Sequence, residues 1–279
     1  MPQLLIGLLL GIAISSLAYR VRALSRSGAI AAAVCGGIIF GLGGLSWAIL
    51  LMTFFISSSA LSRAFSRRKA GLNEKFSKGS QRDWGQVAAN GGLGALIVLL
   101  HAWQPELHWL WIAYAGAIAA VNADTWATEL GVLNPTPPRL ITSGKLVERG
   151  ASGGVSLLGS VAALGGAGLV AICALFFVPE DMLQSIAIPS QLVAIILGGV
   201  AGSFFDSFLG ATIQAIYFCP ACQKETERHP RHLCGTETRP LRGWHWLNND
   251  LVNFLASLAG ALAASGIWWV VMSPIQKRH

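Results

Sequence analysis

Charged side chains are scarce in this sequence. Only 12% of its 279 residues are charged, whereas 53% are hydrophobic, and the mean hydropathy is +0.57. Apolar runs long enough to cross a bilayer recur from end to end, which indicates an all-α polytopic membrane protein. The basic residues behind the net charge of +7 lie in short loops between these runs. They are therefore better explained as orientation signals than as a nucleic-acid surface, and we expect no nucleic-acid partner.

Several recognisable signatures are also missing. Five cysteines, three of them within residues 219–234, do not form the pattern of a disulfide framework. The first apolar segment lacks a basic start and a good small-residue cleavage site, so we expect a retained span rather than a signal peptide. The Walker A pattern GxxxxGK[ST] is absent, and so is the D-x2-D-G-x2-A-R signature of the CDP-alcohol transferases. Neither of these enzyme classes is therefore favoured.

The apolar runs predict about eight spans, with six as the lower bound. The second and third runs are short and joined by GLGG, so they are candidates for a hairpin that does not fully cross. We treat residues 1–279 as one integral membrane domain, with a cytoplasmic Cys/His loop at 218–249. The predicted spans are 3–19, 28–44, 46–62, 84–101, 109–124, 155–178, 190–217 and 250–272.

Positive charge orients these spans. The loops at 102–108 and 179–189 contain no Lys or Arg, whereas the first loop and those at 63–82, 132–154 and 218–249 are basic. The positive-inside rule then places the basic loops in the cytoplasm and both chain ends outside, with the terminal QKRH as the one exception. We expect a bacterial inner membrane or a thylakoid membrane. The basic residues of the 63–82 loop are Arg63, Arg67, Arg68, Lys69, Lys75, Lys78 and Arg82.

The stretch VNADTWATELG, residues 121–131, carries acids at the end of a long apolar run. A carboxylate inside a bilayer is costly, so such residues are usually functional. On a helix, Asp124 shares a face with Thr128, and Asn122 and Glu129 are three and four residues from Thr125. These oxygen-bearing side chains suit Mg²⁺ and phosphate. The alternative is a helix end at the interface with solvated acids.

Two later segments repeat this arrangement. Asp206 in GSFFDSFLGATIQ follows small and apolar residues, as Asp124 does, and precedes a hydroxyl and an aromatic residue. In WLNNDLVN, Asn249 and Asp250 are each within a helical turn of Asn253. The expected topology brings all three segments to the cytoplasmic ends of their spans. An Asn-Asn-Asp sequence is also a good helix cap, which is the structural alternative for the third segment.

The loop at 132–154 combines three prolines with a glycine-rich end. Small residues let backbone N–H groups approach an anion, and Lys145 and Arg149 add positive charge. RGASGGVS leads directly into the sixth predicted span, so the N-terminus of that helix would also face the anion. We therefore predict phosphate binding by Lys145, Arg149, Gly150, Gly153 and Gly154. A simple turn is the alternative.

The loop at 218–249 has the residue types of a zinc site. Cys219 and Cys222 form a CxxC pair, and Cys234 follows at a distance that suits a third ligand. The fourth ligand would be His232 or His229. Closing all four positions would make the site structural rather than catalytic. The alternative is a reduced loop with incidental thiols.

Four motifs, NADTWATELG, RGASGGVS, GSFFDSFLGATIQ and NNDLVN, occur in this order. Together they resemble the family of phytyl-phosphate kinase and transmembrane protein 19, over nearly the whole chain. RGASGGVS departs from that family's RGTNGGVS at Ala151 and Ser152, whereas the glycines are kept. The resemblance implies site residues at Asn122, Asp124, Thr125, Glu129, Arg149, Gly150, Gly153, Gly154, Ser203, Asp206, Ser207, Gly210, Asn249, Asp250 and Asn253.

The function implied by this resemblance is that of a prenyl-phosphate kinase. The plant member of the family converts phytyl phosphate to the diphosphate and so returns phytol to tocopherol and related prenylquinones. We expect Asp124 and Asp206 to bind Mg²⁺, with Glu129 and Asp250 as helpers, and CTP or ATP as the co-substrate. The lipid tail would stay in the membrane while the phosphate and the nucleotide meet at the cytoplasmic interface.

Two other classes of function remain open at this stage. One is a different lipid-phosphate transferase that uses the same metal chemistry. The other is a cation-coupled transporter, which would use the paired intramembrane acids for coupling. Nucleotide consumption that depends on a lipid substrate would separate an enzyme from a transporter. The sequence makes no prediction of the oligomeric state.

Overall fold

The computed structural model describes residues 2–65, 81–183 and 188–276. Eight long α-helices account for most of this part of the chain, which confirms the prediction of an all-α polytopic membrane protein. Five of the seven basic residues in the 63–82 loop lie outside the described residues, as does most of the terminal QKRH. The helices are α1 (Pro2–Arg20), α2 (Arg26–Ile38), α3 (Leu45–Ala64), α4 (Trp84–Trp103), α5 (Trp109–Gly131), α6 (Leu157–Phe176), α7 (Ile188–Thr212) and α8 (Asn249–Gln276).

Seven of these helices are long and apolar enough to cross a membrane. The exception is α5, whose 23 residues include Asp124 and Glu129. Large apolar side chains on the outer helices are exposed, such as Leu5 on α1, which is 61% exposed. This outward-facing apolar surface suits contact with lipid tails.

The central helix of the bundle is α5. Every residue from Leu110 to Ala123 is buried, because α5 packs against α6, α7, α8, α3 and α4. Small residues allow these helices to approach closely: a Cβ on Gly116 would lie 2.5 Å from Ala264 Cβ, and one on Gly202 would lie 2.5 Å from Ala120 Cβ. Helix packing through small residues is common in membranes, where burial of apolar surface from water provides little drive.

The region from 28 to 62 contains two long helices rather than a short hairpin. A π-helical turn, Ile39–Gly43, extends α2, and the chain reverses at Gly44, whose φ of +79° suits glycine. Residues 26–43 and 45–64 are each long enough to span a membrane. The sequence underestimated these helices because the glycines of GLGG are typical of a turn, yet most of them continue the helix here.

The predicted span 190–217 is too long at its C-terminal end. The helix α7 ends at Thr212, and Ile216–Cys219 form strand β3. An apolar run of this length does not distinguish a strand from the last turn of a helix. Antiparallel pairing places β3 between β4 (Lys224–Thr226) and β5 (Arg239–Arg242) in a small sheet. In the loop between α5 and α6, β1 (Arg139–Leu140) pairs with β2 (Gly154–Val155).

The described parts of the basic loops lie at one end of the bundle. Helices α4, α6 and α8 begin there, and α3, α5 and α7 end there, because consecutive helices run in opposite directions. Local caps set where α4 and α6 begin. Asp83 and Gln86 form a reciprocal capping box, and Ser156 Oγ accepts a hydrogen bond from Gly159 N at 3.1 Å. The candidate site lies among these helix ends.

Candidate functional site

A polar cavity of about 590 Å³ opens among the six helix ends. It contains residues from all four sequence motifs, although these motifs are up to about 130 positions apart along the chain. The predicted residues that line it are Asp124, Thr125, Glu129, Arg149, Gly150, Gly153, Gly154, Ser203, Asp206, Ser207, Asn249 and Asn253. The cavity therefore has the size and the polar groups of a binding site for a charged ligand.

The acidic side chains of the cavity come from three separate elements. Asp124 is on α5 and Asp206 on α7, and Glu227 follows directly after β4. The three carboxylates are close enough for Asp206 to be repelled electrostatically by the other two. One oxygen of Asp206, Oδ2, is buried and accepts no hydrogen bond within the described part of the chain. A divalent cation would relieve this repulsion and provide a partner for that oxygen.

Glu129 is held differently from these acids. It is 6% exposed, and its Oε1 accepts a hydrogen bond from Ser62 Oγ at 2.7 Å. It also attracts the guanidinium of Arg82. Its contacts place it beside the junction of α3 and α4, and they favour orientation of Arg82 as its role.

Arg82 is a site residue that sequence reasoning missed. Its Nη2 donates to Ser58 Oγ at 2.8 Å, and its guanidinium lies 5.1 Å from the centre of the Phe54 ring. Its Nη1 is buried and makes no hydrogen bond within the described residues. Burial lowers the pKa of Arg82 to about 10, although Glu129 opposes this shift, so the side chain is cationic at neutral pH.

A second, apolar cavity of about 280 Å³ adjoins the polar one. It lies among α1, α2, α3 and α4, and its walls are formed mainly by aliphatic and aromatic side chains such as Leu10, Ile14 and Phe55. Three polar residues in the described part of the chain line both cavities, and these are Arg82, Gln86 and Asn90. The junction of a lipid-like chamber with a polar chamber is therefore marked by a cation and two amides.

Residues 149–154, which we call the glycine loop, are docked tightly onto α7. Gly150 and Gly153 have φ values of +76° and +83°, a region that favours glycine. A Cβ on Gly153 would lie 2.5 Å from the backbone of Ala211, and one on Gly210 would lie 2.9 Å from Gly153 N. Gly153 therefore serves the close approach of loop and helix, while Gly210 lies on the α7 side of this contact rather than in the cavity lining.

The basic residues of this loop differ in position. Arg149 lines the cavity, and its Nη2 donates to the carbonyls of Asn134 at 2.9 Å and Pro135 at 2.8 Å, which ties the proline turn to the glycine loop. Lys145 is exposed in the turn after β1 and is not among the residues that line the cavity. A direct phosphate contact is therefore better supported for Arg149 than for Lys145.

Two further predicted residues lie beside the cavity rather than in it. Asn122 is fully buried; its Nδ2 donates to Gly166 O at 2.8 Å, and its Oδ1 accepts from Ser57 Oγ at 3.0 Å. It thus links three helices, because a buried amide needs partners for both its groups. Asp250 is in the first turn of α8, where the positive end of the helix dipole stabilises a carboxylate.

The Cys/His loop brings four predicted ligands together. The ligand atoms of Cys219, Cys222, His232 and Cys234 all lie within 4.8 Å of one another. His229, the alternative fourth ligand, instead stacks on Tyr217 with ring centres 4.4 Å apart. Hydrogen bonds from Thr236, and then from His232, lower the pKa of Cys234 to about 6, so its thiolate is accessible at neutral pH.

Comparison with known proteins identifies the family of this chain. The model of one family, described as integral membrane protein DUF92, matches residues 9–261. The chain belongs to this family. No solved structure matches it. The resemblance recognised from the four motifs is thereby confirmed, and so is the assignment as an integral membrane protein.

Relatives of this DUF92 member occur in plants and archaea. It is 33% identical to "Protein PGR" of Arabidopsis thaliana, over 92% of this chain and 95% of that protein. It is 29% identical to "Uncharacterized membrane protein MJ0933" of Methanocaldococcus jannaschii, over 76% of this chain and 84% of the other. It is also 23% identical to "Protein VTE6, chloroplastic" of Arabidopsis thaliana, over 88% of this chain and 65% of that protein.

Proposed function

We propose that this protein is a membrane prenyl-phosphate kinase that converts phytyl phosphate, or a similar prenyl phosphate, to the diphosphate. The observation that carries this proposal is the meeting of an acidic, glycine-lined cavity with an apolar cavity at Arg82. In the reaction, a phosphate oxygen of the lipid attacks the terminal phosphorus of a nucleoside triphosphate. The bond between that phosphorus and the bridging oxygen breaks, and the nucleoside diphosphate leaves.

The two cavities suit the two halves of the lipid. The isoprenoid tail would occupy the apolar cavity among α1 to α4, where its walls replace lipid contacts. The phosphate would then reach the junction, where Arg82, Gln86 and Asn90 can donate hydrogen bonds. An arginine matches phosphate geometry well because its N–H groups form a planar fork.

The acids of the polar cavity fit a magnesium ion. Asp124 and Asp206 would hold it, and Glu227, which lines the same cavity, would contribute a third oxygen or orient a bound water. When bound, Mg²⁺ neutralises charge on the phosphates and aligns them. The protein needs no general base, because a phosphate monoester is already an anionic nucleophile.

The nucleotide phosphates would approach the part of the polar cavity formed by the glycine loop, Arg149 and the N-terminus of α6. Ser156 and Ser160 also line the cavity at this helix end. The positive end of a helix dipole and its N–H groups favour anions. We place this end of the bundle in the cytoplasm, which holds nucleotides and which the distribution of Lys and Arg favours.

Family membership adds support of a different kind. The four motifs resemble those of phytyl-phosphate kinase, and the chain aligns with "Protein VTE6, chloroplastic" over 88% of its length. A role in phytol salvage toward tocopherol and other prenylquinones follows from the same resemblance. The stronger similarity to "Protein PGR" makes a direct assay more important than the family alone.

A direct assay uses the purified protein in lipid nanodiscs with Mg²⁺. Phytyl and geranylgeranyl phosphates are each offered with CTP and with ATP, and the products are identified by mass. We expect one pair to yield the prenyl diphosphate and an equal amount of nucleoside diphosphate. The matched control is Asp206→Asn, which keeps the side-chain shape and removes its charge.

Other outcomes would reject the proposal. Folded protein that consumes neither nucleotide with either lipid is not such a kinase. If vesicles containing the protein then accumulate a cation in response to a gradient, the transporter alternative replaces it. Nucleotide consumption with a different lipid product would instead identify another lipid-phosphate transferase.

A further inference from the structure

The loop between α7 and α8 contains a compact set of thiol and imidazole groups. Cys219 ends β3, Cys222 lies in the turn before β4, and His232 and Cys234 lie in the connection to β5. The sulfurs of Cys219 and Cys234 are 3.6 Å apart. His232 Nδ1 lies 3.5 Å from Cys222 Sγ and 3.4 Å from Cys234 Sγ.

These distances match the ligand spacing of tetrahedral zinc. Zinc–sulfur bonds of about 2.3 Å and zinc–nitrogen bonds of about 2.0 Å place two sulfurs about 3.8 Å apart, and a sulfur and a nitrogen about 3.5 Å apart. A disulfide needs sulfurs about 2.05 Å apart, so the Cys219–Cys234 separation of 3.6 Å does not describe one. The arrangement is thus closer to a metal site than to a cystine.

Outside its central strand β3, where Ile216, Tyr217 and Cys219 are buried, the surrounding sheet has little apolar core of its own. Its three strands contain three or four residues each. Among the described residues from 220 to 243, only three are buried: Thr226, His232 and Thr238. A unit of this size usually needs a metal or a disulfide, because burial cannot offset the entropy of ordering its chain.

We propose that Cys219, Cys222, His232 and Cys234 bind one structural zinc ion. The protein supplies four ligands, which fills the tetrahedral shell and leaves no position for a substrate or a reactive water. His229 is excluded from the set by its stacking on Tyr217. The ion replaces the missing core and holds the two halves of the loop together.

The zinc site also orders a segment that borders the polar cavity. Glu227 lies between the two ligand pairs in sequence, and its Oε1 accepts hydrogen bonds from Gln214 Nε2 at 2.9 Å and Ser152 Oγ at 3.3 Å. Arg242, on β5, donates to Gly210 O at 2.7 Å and to Ser152 O at 3.4 Å. Zinc would therefore position Glu227, and through Arg242 it would hold the glycine loop against α7. This consequence rests on the proposed function.

Metal analysis tests the zinc site without any assay of activity. Protein purified without chelators should contain about one zinc per chain, whereas Cys222→Ser and His232→Ala should each lose most of it. The matched controls are Cys173→Ser, on α6, and His229→Ala, and both should retain the metal. Mass spectrometry of the intact protein should show no Cys219–Cys234 disulfide.

Several results would overturn the zinc proposal. These are absence of zinc from the gently purified, folded protein, equal loss of zinc in His229→Ala and His232→Ala, and a Cys219–Cys234 disulfide. Because Cys222→Ser can unfold the loop, limited proteolysis between 220 and 243 accompanies the metal analysis. A metal-free variant that stays as protected as the wild type would show that no ion holds this loop.

The positioning role has its own readout. Removing zinc with a chelator should raise the KM for nucleotide more than it lowers kcat, and adding zinc back should restore it. Glu227→Gln should raise the KM for nucleotide about tenfold or more, while the zinc content stays at one per chain. Zinc content that is normal in a protein without kinase activity would reject the proposed function and leave the zinc site standing.

Discussion

Asp206 illustrates how a residue's surroundings define its chemistry. Its carboxylate shares a cavity with Asp124 and Glu227, and one oxygen is buried with no hydrogen bond from the described residues. Repulsion of this kind is unfavourable for the folded protein unless a cation is bound. The cluster is therefore better explained by function than by stability.

Replacing either aspartate tests this explanation. Asp124→Asn and Asp206→Asn should each lower turnover by about 100-fold or more, because a charge that aligns the phosphates is lost. The melting temperature should stay the same or rise, since repulsion among the acids is relieved. Turnover and thermal unfolding in nanodiscs check both effects. If the two residues serve one ion, the double variant should be little worse than either single one. Full activity in a single variant would remove that residue from the site.

Arg82 provides a second test at the scale of one residue. Arg82→Ala should raise the KM for the prenyl phosphate by about ten- to a hundredfold, because a hydrogen bond to a charged group contributes about 1.5 to 3 kcal/mol. Arg20→Ala, which removes an exposed arginine from the end of α1, is the matched control. Arg82→Lys should recover part of the loss. An unchanged KM in Arg82→Ala would separate the apolar cavity from the substrate.

At the scale of elements, the contact between the glycine loop and α7 decides the shape of the polar cavity. The loop approaches α7 at Gly153, where the backbone is left-handed and Ala211 leaves no room for a side chain. Sequence alone favoured an anion contact for this glycine, because small residues serve both purposes equally well. The structure shows that Gly153 is required for packing of the loop against α7, whether or not the loop also binds an anion.

Two alanine substitutions separate packing from backbone strain. Gly144→Ala and Gly153→Ala both place a side chain on a left-handed backbone, which costs about 1 to 2 kcal/mol, but Gly144 has open space around its Cβ position. Gly153→Ala should therefore lower the melting temperature clearly more than Gly144→Ala and should also reduce activity. Thermal unfolding and turnover provide the comparison. Equal effects of the two changes would contradict the tight docking of this loop.

At the scale of the whole molecule, the described parts of the basic loops share one end of the bundle with the polar cavity. The turn at residues 104–108, by contrast, joins α4 and α5 at the opposite end. An inward orientation of the cavity would give it access to nucleotides and would agree with the positive-inside rule. The distribution of basic residues and the need for nucleotide access therefore predict the same orientation of the protein in the membrane.

Epitope accessibility in sealed right-side-out vesicles tests this orientation. A tag inserted after Gly144, in an exposed turn, should be hidden from antibody until detergent is added. A tag after Glu106 should be recognised in intact vesicles, because that turn lies on the other side of the membrane. The reverse pattern would place the cavity outside and would exclude cytosolic nucleotide as the co-substrate.

Much of the architecture could be read from the sequence because a bilayer constrains each span separately. Length and apolarity predict a helix wherever backbone groups must be satisfied without water, so eight long helices appear close to the predicted positions. The errors lie at helix ends. At GLGG and at Ile216–Cys219, local composition fits a turn, a helix or a strand, and packing makes the choice.

Sequence by itself determined the membrane class and the family. It also predicted the two aspartates as site residues, since an acid in an apolar run is conspicuous on its own. Only the tertiary structure selected Arg82 and Glu227, because charged residues in loops are ordinary until the fold places them against a cavity. It also assigned His232 rather than His229 to the cysteine cluster, and Asn122 to helix packing. These choices depend on distances between residues far apart in the chain, which no local pattern contains.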